Sequence, residues 1–317
     1  MSAKGLSSRA IIGRYYERLS AAPGMGWIDS ISNYFNSDQD SETYKWLGQV
    51  PQMREWIGGR QPKGFLENGI TISNKHFEAT MEVLVREMRR DKAGQVMVRV
   101  DELADRTNSH WAKLLSTLVQ NGESTVCYDG QYFFDTDHSE GDSGPQSNAI
   151  AVDISELPVG TNNHGTATNP HVLEMQHAIL KAVQQLYGLK DNQGEPLNEN
   201  ARAFQVMVPV GLMVAAEAAV MQPLVADGAS NITRAISNLS LSVAVNPRLS
   251  WTDKFALFRT DGAVKPLIRQ EEQPVQIKAI AEGSELEFRD DKHHYGVDTW
   301  RNVGYGMWQG ACLVTLA

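Results

Sequence analysis

The sequence has only two cysteines among 317 residues, Cys127 and Cys312. They lie far apart in hydrophobic, strand-like stretches with neither CxxC nor paired-ligand spacing, so both are expected to be reduced core residues rather than a disulfide or metal ligands. Long apolar runs are missing too. No window approaches ~18 consecutive apolar residues, and the greasiest stretch, Val206 to Val220, contains Pro209, Gly211 and Glu217, so no membrane contact is expected. Near the N-terminus, Ala10-Ile-Ile-Gly13 is interrupted at once by Arg14-Tyr-Tyr-Glu-Arg18, which lacks the apolar length of a secretory signal. The expectation is a protein made and kept in the cytoplasm unless it is carried elsewhere within an assembly. Positive charge is also short: Lys and Arg number 29 against 38 Asp and Glu, a net charge of -9. That argues against a protein built to grip nucleic acid by neutralising phosphates, though not against a surface that faces nucleic acid without holding it. There is no GxSxG, no P-loop and no Cys/His pair placed as a nucleophile, which leaves nucleophilic catalysis without a candidate.

What is present is the composition of a globular protein, 42% hydrophobic and 21% charged, long enough for one large domain or two ordinary ones. The organising stretch runs from Asp101 to His138. Asp101 is placed to cap a helix on which Leu103, Thr107, Trp111, Leu114, Leu115 and Leu118 recur on one side until Gly122 offers a left-handed stop. A helix of that length spans roughly 30 Å and forms a spine along which strands from either side in sequence can pack. A strand through Phe133-Phe134 follows it.

Before the spine, residues 1–40 mix Gly, Ser, Pro and scattered aromatics, with a short amphipathic helix expected over Ile11 to Leu19. Two expectations stand side by side: an arm whose aromatics lay it on its own body or on a neighbour, and a frayed terminus with one docked helix. Between Ser41 and Arg90, Ile70, Ile72, Phe77, Ala79, Met81 and Val83 fit two period-two runs, which predicts a two-stranded ribbon turning near Ser73-Asn-Lys75. A lone ribbon carrying Trp46 and Trp56 needs a surface to cover it. After the spine, two polar loops around Gly141 and Gly160 bracket Ile150 to Val159 as a linker. Asn169-Pro170 then opens a helix to Gly188. Strands are expected at Phe204–Pro209, Leu241–Asn246 and Phe255–Asp261, with a helix at Leu212–Met221, an α+β region. The remainder is mostly strand: Lys265–Arg269, Val275–Ile280, and a long one from Tyr295 with bulge-prone glycines.

Two clusters invite a chemical reading. Asp135-Thr-Asp-His138, with Glu140 and Asp142, offers carboxylates and an imidazole to a divalent metal, but Asp135, Asp137, Ser139 and Gly141 do not complete a calcium loop. An acidic, solvated turn is the simpler expectation. His293-His294 follows a charged run, with no helix to place both imidazoles on one face, and is expected at the surface.

Four motifs in order carry a resemblance: Thr43-Tyr-Lys-Trp-Leu-Gly-Gln-Val-Pro51 with Met53-Arg-Glu-Trp-Ile-Gly-Gly-Arg60; Tyr128-Asp-Gly-Gln-Tyr-Phe-Phe-Asp-Thr-Asp-His138; Lys190-Asp-Asn-Gln-Gly-Glu-Pro-Leu197 with Val206-Met-Val-Pro209; and Tyr295-Gly-Val-Asp298 with Asn302-Val-Gly-Tyr-Gly-Met-Trp-Gln309. In these the chain resembles the major head (capsid) subunits of bacteriophage Mu and Mu-like prophages. The resemblance implies an α+β, Hong-Kong-97-like phage capsid fold: an N-terminal arm (1–40), an extended two-stranded loop (41–90), a peripheral domain with a long spine helix (91–168), an axial domain (169–264) and C-terminal strands returning to both (265–317). It implies a structural protein, not an enzyme, that self-assembles as hexamers and pentamers into the icosahedral head of a virion enclosing double-stranded DNA, without a cofactor. The partners expected are further copies of itself, scaffold, portal and head maturation protease during assembly, and a decoration protein. Assembly contacts are expected at Trp46, Arg54, Trp56, Arg60, Phe65, Lys75 and Phe77. No motif-matched partner exists for a cross-link from Lys63 or Lys75. The alternatives are a metal-dependent hydrolase using Asp137 and His138, and a non-viral homo-oligomeric binding protein.

Overall fold

A computed structural model of the chain describes residues 7–21, 25–45, 69–90, 94–155, 164–222 and 238–317, together with Asn231, Thr233 and Ile236. In chain order its elements are α1 (Ser8–Ala21), α2 (Gly26–Ile31), β1 (Ser32–Asn36), β2 (Ser41–Tyr44), β3 (Ile70–Ser73), β4 (Lys75–Leu84), α3 (Val85–Arg90), α4 (Gln95–Asn108), α5 (His110–Gln120), β5 (Ala149–Val152), α6 (Val172–Gly188), β6 (Ala203–Val208), α7 (Met213–Met221), β7 (Ser240–Val245), β8 (Lys254–Arg259), β9 (Leu267–Ile280), α8 (Glu285–Asp290), β10 (Lys292–Tyr305) and β11 (Ala311–Leu316). The strands form a four-stranded sheet ordered β1-β9-β10-β4, a five-stranded sheet ordered β5-β11-β8-β6-β7, and the two-stranded β2-β3.

The five-stranded sheet is built from apolar runs. β6 and β8 are buried along most of their length, as strands covered on both faces must be. α6 and α7 pack against it and against each other. α6 starts two residues later than expected: His171, not Asn169, is the cap, and its box with Glu174 is complete because the Glu174 carboxylate accepts from the His171 N–H at 2.6 Å. The stretch expected as a linker instead contributes β5, which pairs in parallel with β11.

The four-stranded sheet rests on alternation. Along β10, His293, Tyr295, Val297, Thr299 and Arg301 all point inward. His293 is therefore 2% exposed rather than a surface residue: strand periodicity, invisible in the charged run before it, fixes its face. Lys265–Arg269 and Val275–Ile280 merge into one strand, β9. The long C-terminal strand is broken at Trp308–Gly310 into β10 and β11, which lie in different sheets.

The spine is two helices. α4 begins at Gln95, so Asp101 lies inside it and caps nothing; Ser109, at φ -75 and ψ -4, separates α4 from α5. The reason is that the two halves serve different cores. Val96, Val100 and Ala104 of α4 join Ile11, Tyr15, Val83, Met88 and Tyr295 in a small cluster, whereas Ala112, Leu115 and Val119 of α5 belong to the large core of the five-stranded sheet. Gly122 is not left-handed. It ends the spine through a close approach, since a Cβ there would sit 2.4 Å from Phe134 Cδ2. The segment Val126 to His138 holds no strand, only isolated bridges Val126↔Tyr132 and His138↔Gln146 around a turn at Gly130.

The amphipathic helix expected near the N-terminus is α1, and it docks on its own body. Arg14 and Arg18, one turn apart, donate paired hydrogen bonds at 2.7 to 2.8 Å to α4, Arg14 to Asp101 and Arg18 to Asp105. Ile11 and Tyr15 are fully buried beneath them.

Candidate assembly site

The predicted hairpin about Ser73-Asn-Lys75 does not form. β3 pairs instead with β2, from Ser41↔Ser73 to Tyr44↔Ile70, while β4 turns away to pair with β10 along its whole length. The two-stranded ribbon is thus β2-β3, and residues 46–68 connect its outer ends. Its root is riveted to the four-stranded sheet. Gln270 is fully buried; its amide donates to Ile72 O at 3.1 Å and Asn74 Oδ1 at 2.9 Å, and its Oε1 accepts from Tyr44 OH at 2.8 Å. Ile72 packs where Gly304 leaves room: a Cβ on Gly304 would come within 2.3 Å of Ile72 Cδ1.

Of the residues expected at assembly contacts, Trp46, Arg54, Trp56, Arg60 and Phe65 lie outside the described residues. Lys75 opens β4 opposite Arg301 and is exposed. Phe77 is half-buried and set edge-on to His110, ring centroids 4.5 Å apart. The structure therefore brings these two together at one edge of the sheet. Phe77 lines an open cleft of about 230 Å³ between the sheet and the spine, together with Leu103, Arg106, His110, Val297 and Arg301.

Behind that cleft the spine break is held by stacked cations. Arg301, 3% exposed, donates from Nε to His110 Nδ1 at 3.1 Å and lies 4.7 Å from the Trp111 ring centroid. Arg269 lies 5.7 Å from the same ring and 5.4 Å from Tyr34. Glu271 is 3.8 Å from Arg301 and accepts from Tyr34 OH at 2.5 Å. Accepting from a guanidinium requires a neutral imidazole at His110. Burial, then the nearby Arg301, Lys113 and Arg248, push its pKa down to about 4. The folded value lies below the unfolded 6.5, so the unfolded chain protonates first, and stability falls as pH drops from about 6.5 towards 4. An NMR titration should find the His110 midpoint near 4, and His110→Gln should flatten the stability profile within that window. A midpoint near 6.5 would show that the imidazole is not held as described.

In the stretch through Asp135-Thr-Asp-His138, Thr136 and Asp137 are exposed as a solvated turn requires, but His138 is not. His138 is fully buried, its Nδ1 is 2.6 Å from Asp129 Oδ2, and its ring stacks on Trp308 at 3.8 Å and 6°. Trp308 Nε1 donates to Glu140 at 2.9 Å, and Tyr128 OH donates to the same oxygen at 2.6 Å. Asn148 ties the loop to Phe133 O, at 2.8 Å, and to Trp308 O, at 3.3 Å. This polar hub welds the irregular segment after the spine to the turn between β10 and β11. Both imidazole nitrogens of His138 face chain partners, Asp129 and Asn148. Asp137 is exposed, and its pKa is raised first by the hydrogen bond with Asp135. The two residues do not converge as a hydrolase would require, and among the described residues no three His, Cys, Asp or Glu side chains are placed to hold a metal. The only hint of the hub in the sequence is the Asp-Gly pair that turns the chain back from Cys127, and it does not say which histidine Asp129 meets.

Comparison with known proteins agrees with this architecture. The family model of the Mu-like prophage major head subunit gpT matches residues 10–158 and 238–315. The Mu-like prophage FluMu major head subunit of Haemophilus influenzae is 26% identical over 298 residues, covering 94% of this chain and 68% of that one. The major capsid protein of Escherichia phage Mu is 33% identical over 110 residues, 35% of this chain and 36% of that one. Among solved structures, the procapsid of bacteriophage JBD30 has a TM-score of 0.55 at 24% identity, covering 96% of this chain and 72% of its own. A virus-like particle from Pyrococcus furiosus has a TM-score of 0.52 at 10% identity, covering 97% and 98%. The α+β architecture is the Hong-Kong-97-like capsid fold. With its ribbon rooted in one sheet, its broken spine and its sealed hub, the chain belongs to the Mu-like prophage major head subunit family, whose members are structural capsid proteins and not enzymes.

Proposed function

We propose that copies of this chain self-assemble as hexamers and pentamers into an icosahedral phage head that encloses double-stranded DNA without reading its sequence. The observation that carries this is the family match over residues 10–158 and 238–315, which takes in both the ribbon's root and the returning C-terminal strands. In this reading residues 1–40 are the arm, 41–90 the extended loop, 91–168 the peripheral domain, 169–264 the axial domain and 265–317 the strands that return to both. Trp46, Arg54, Trp56, Arg60 and Phe65 of the extended loop, with Lys75 and Phe77 at its base, meet the neighbouring subunit. A net charge of -9 suits an inner wall that must not trap entering DNA.

Scaffold, portal and head maturation protease are the partners during assembly in the host cytoplasm, and the virion is the destination. An external decoration protein is supported by the JBD30 capsid, which is decorated with minor capsid protein trimers. The test is electron microscopy with light scattering on the chain expressed alone and with its scaffold. Closed shells or pentamer and hexamer rings are expected, and Trp46→Ala or Trp56→Ala should weaken association more than subunit folding. A monodisperse monomer or dimer under every condition would overturn the reading.

A further inference from the structure

Phe288 is 95% exposed, the most exposed large apolar side chain among the described residues. It sits on α8, between β9 and β10, and takes no part in either core cluster. Folding of the subunit gains nothing from a phenyl group there. The surroundings are acidic. Glu287 is engaged by Gly283 N–H at 2.6 Å and lies 3.3 Å from His293, and Asp290 is paired with Arg289 at 3.0 Å, but Glu285 and Asp291 face outward. Beside α8, joined to it by Val85 N–H donating to Asp291 O at 3.0 Å, lies α3, which exposes Arg86, Arg89 and Arg90. Among the described residues none of these three arginines makes an ion pair.

One end of the four-stranded sheet therefore carries two poles side by side, an acidic knob tipped by a phenyl ring and an arginine-rich helix, which do not neutralise each other within the chain. A second copy offers each pole its complement, so a contact of the knob with the arginine helix of a neighbour uses both poles of every copy. Guanidinium groups stack on an aromatic face while pairing with a carboxylate, so one contact satisfies both Phe288 and Glu285. We propose, on the shell reading above, that Phe288 with Glu285 and the α3 arginines are the two halves of a head-to-tail contact between copies of this chain.

Sedimentation velocity and electron microscopy on the full-length chain test it. Phe288→Ala should raise the concentration at half-association about tenfold, the effect of truncating a packed aromatic anchor. Arg89→Glu with Arg90→Glu should weaken association similarly, and adding Glu285→Arg should recover part of it. The wild-type contact should loosen with added salt. All of these residues are exposed, so the thermal midpoint of the isolated subunit should not move. Shells that form at wild-type concentrations with both Phe288→Ala and the arginine reversals would overturn this contact and leave the shell reading standing. Association weakened by the variants, with neither closed shells nor pentamer or hexamer rings in any sample, would overturn the shell reading and leave the contact. A wild-type chain that never self-associates overturns both, and loss with Phe288→Ala alone, insensitive to the reversals, overturns the pairing.

Discussion

Trp308→Ala is expected to destabilise the subunit by about 3–5 kcal/mol, read as a fall in the urea midpoint at unchanged slope. Trp308 is fully buried and does two jobs in the polar hub. Its ring covers the His138 imidazole at 3.8 Å, and its Nε1 donates to Glu140 at 2.9 Å. Truncation opens a cavity beside the Asp129–His138 pair and removes one of the donors that hold the Glu140 carboxylate, leaving Tyr128 and Gln309. Trp308→Phe keeps a ring on His138 and loses only the donor, so it should cost about 1–3 kcal/mol. The order wild type, Phe, Ala is the signature of a hub in which stacking and hydrogen bonding both count. A cost for Ala within about 0.5 kcal/mol, the range of ordinary surface changes, would show that the weld is elsewhere.

Arg301→Ala should cost a similar amount, about 3–5 kcal/mol, because it removes one partner of a buried ionic group. The Glu271 carboxylate is left with the Tyr34 hydroxyl at 2.5 Å, His110 loses its donor, and Trp111 loses the nearer of the two guanidinium groups over its face. Arg301→Lys should recover little, since an ammonium neither stacks as a plane nor reproduces the fork of donors. A double-mutant cycle with Trp111→Ala should return a coupling energy of about 0.5–3 kcal/mol. Additive effects would mean that the 4.7 Å contact is proximity without interaction.

Three strands of the five-stranded sheet were legible, β6 and β8 from apolar runs and β7 from alternation, and they fall within a residue or two of where those patterns put them; β5 was hidden in an expected linker and β11 in one long C-terminal strand. The break in the spine was not. Ser109-His110 holds neither Pro nor Gly, and the interruption comes from two cores claiming different faces of adjacent turns, which is a tertiary cause. The runs that form β3 and β4 were legible as strands but not in their pairing, and β2, the strand that pairs with β3, was not read. The runs before and after Asn74 have the same period, and what separates them is the long β10, more than two hundred residues away, to which only the second run is complementary. The residues expected at assembly contacts divide likewise. Lys75 and Phe77 take their places from β4, whereas the tryptophan pair Trp46 and Trp56 is known by composition alone. His138 was misjudged because an acidic stretch looks solvated, and only the fold reveals Trp308 as its cover.

Both large sheets join early segments to late ones. β1 pairs in parallel with β9, β4 with β10, and β5 in parallel with β11, so the four-stranded sheet closes only once the residues up to Tyr305 are available and the five-stranded sheet only once those up to Leu316 are. Such long-range pairing makes loop closure the slow part of folding. During synthesis the first half of the chain must wait, with β4 and β5 unpaired, for the strands that complete it. A nascent subunit is for most of its synthesis a partly folded chain with open strand edges, the form most prone to aggregate and most in need of a chaperone.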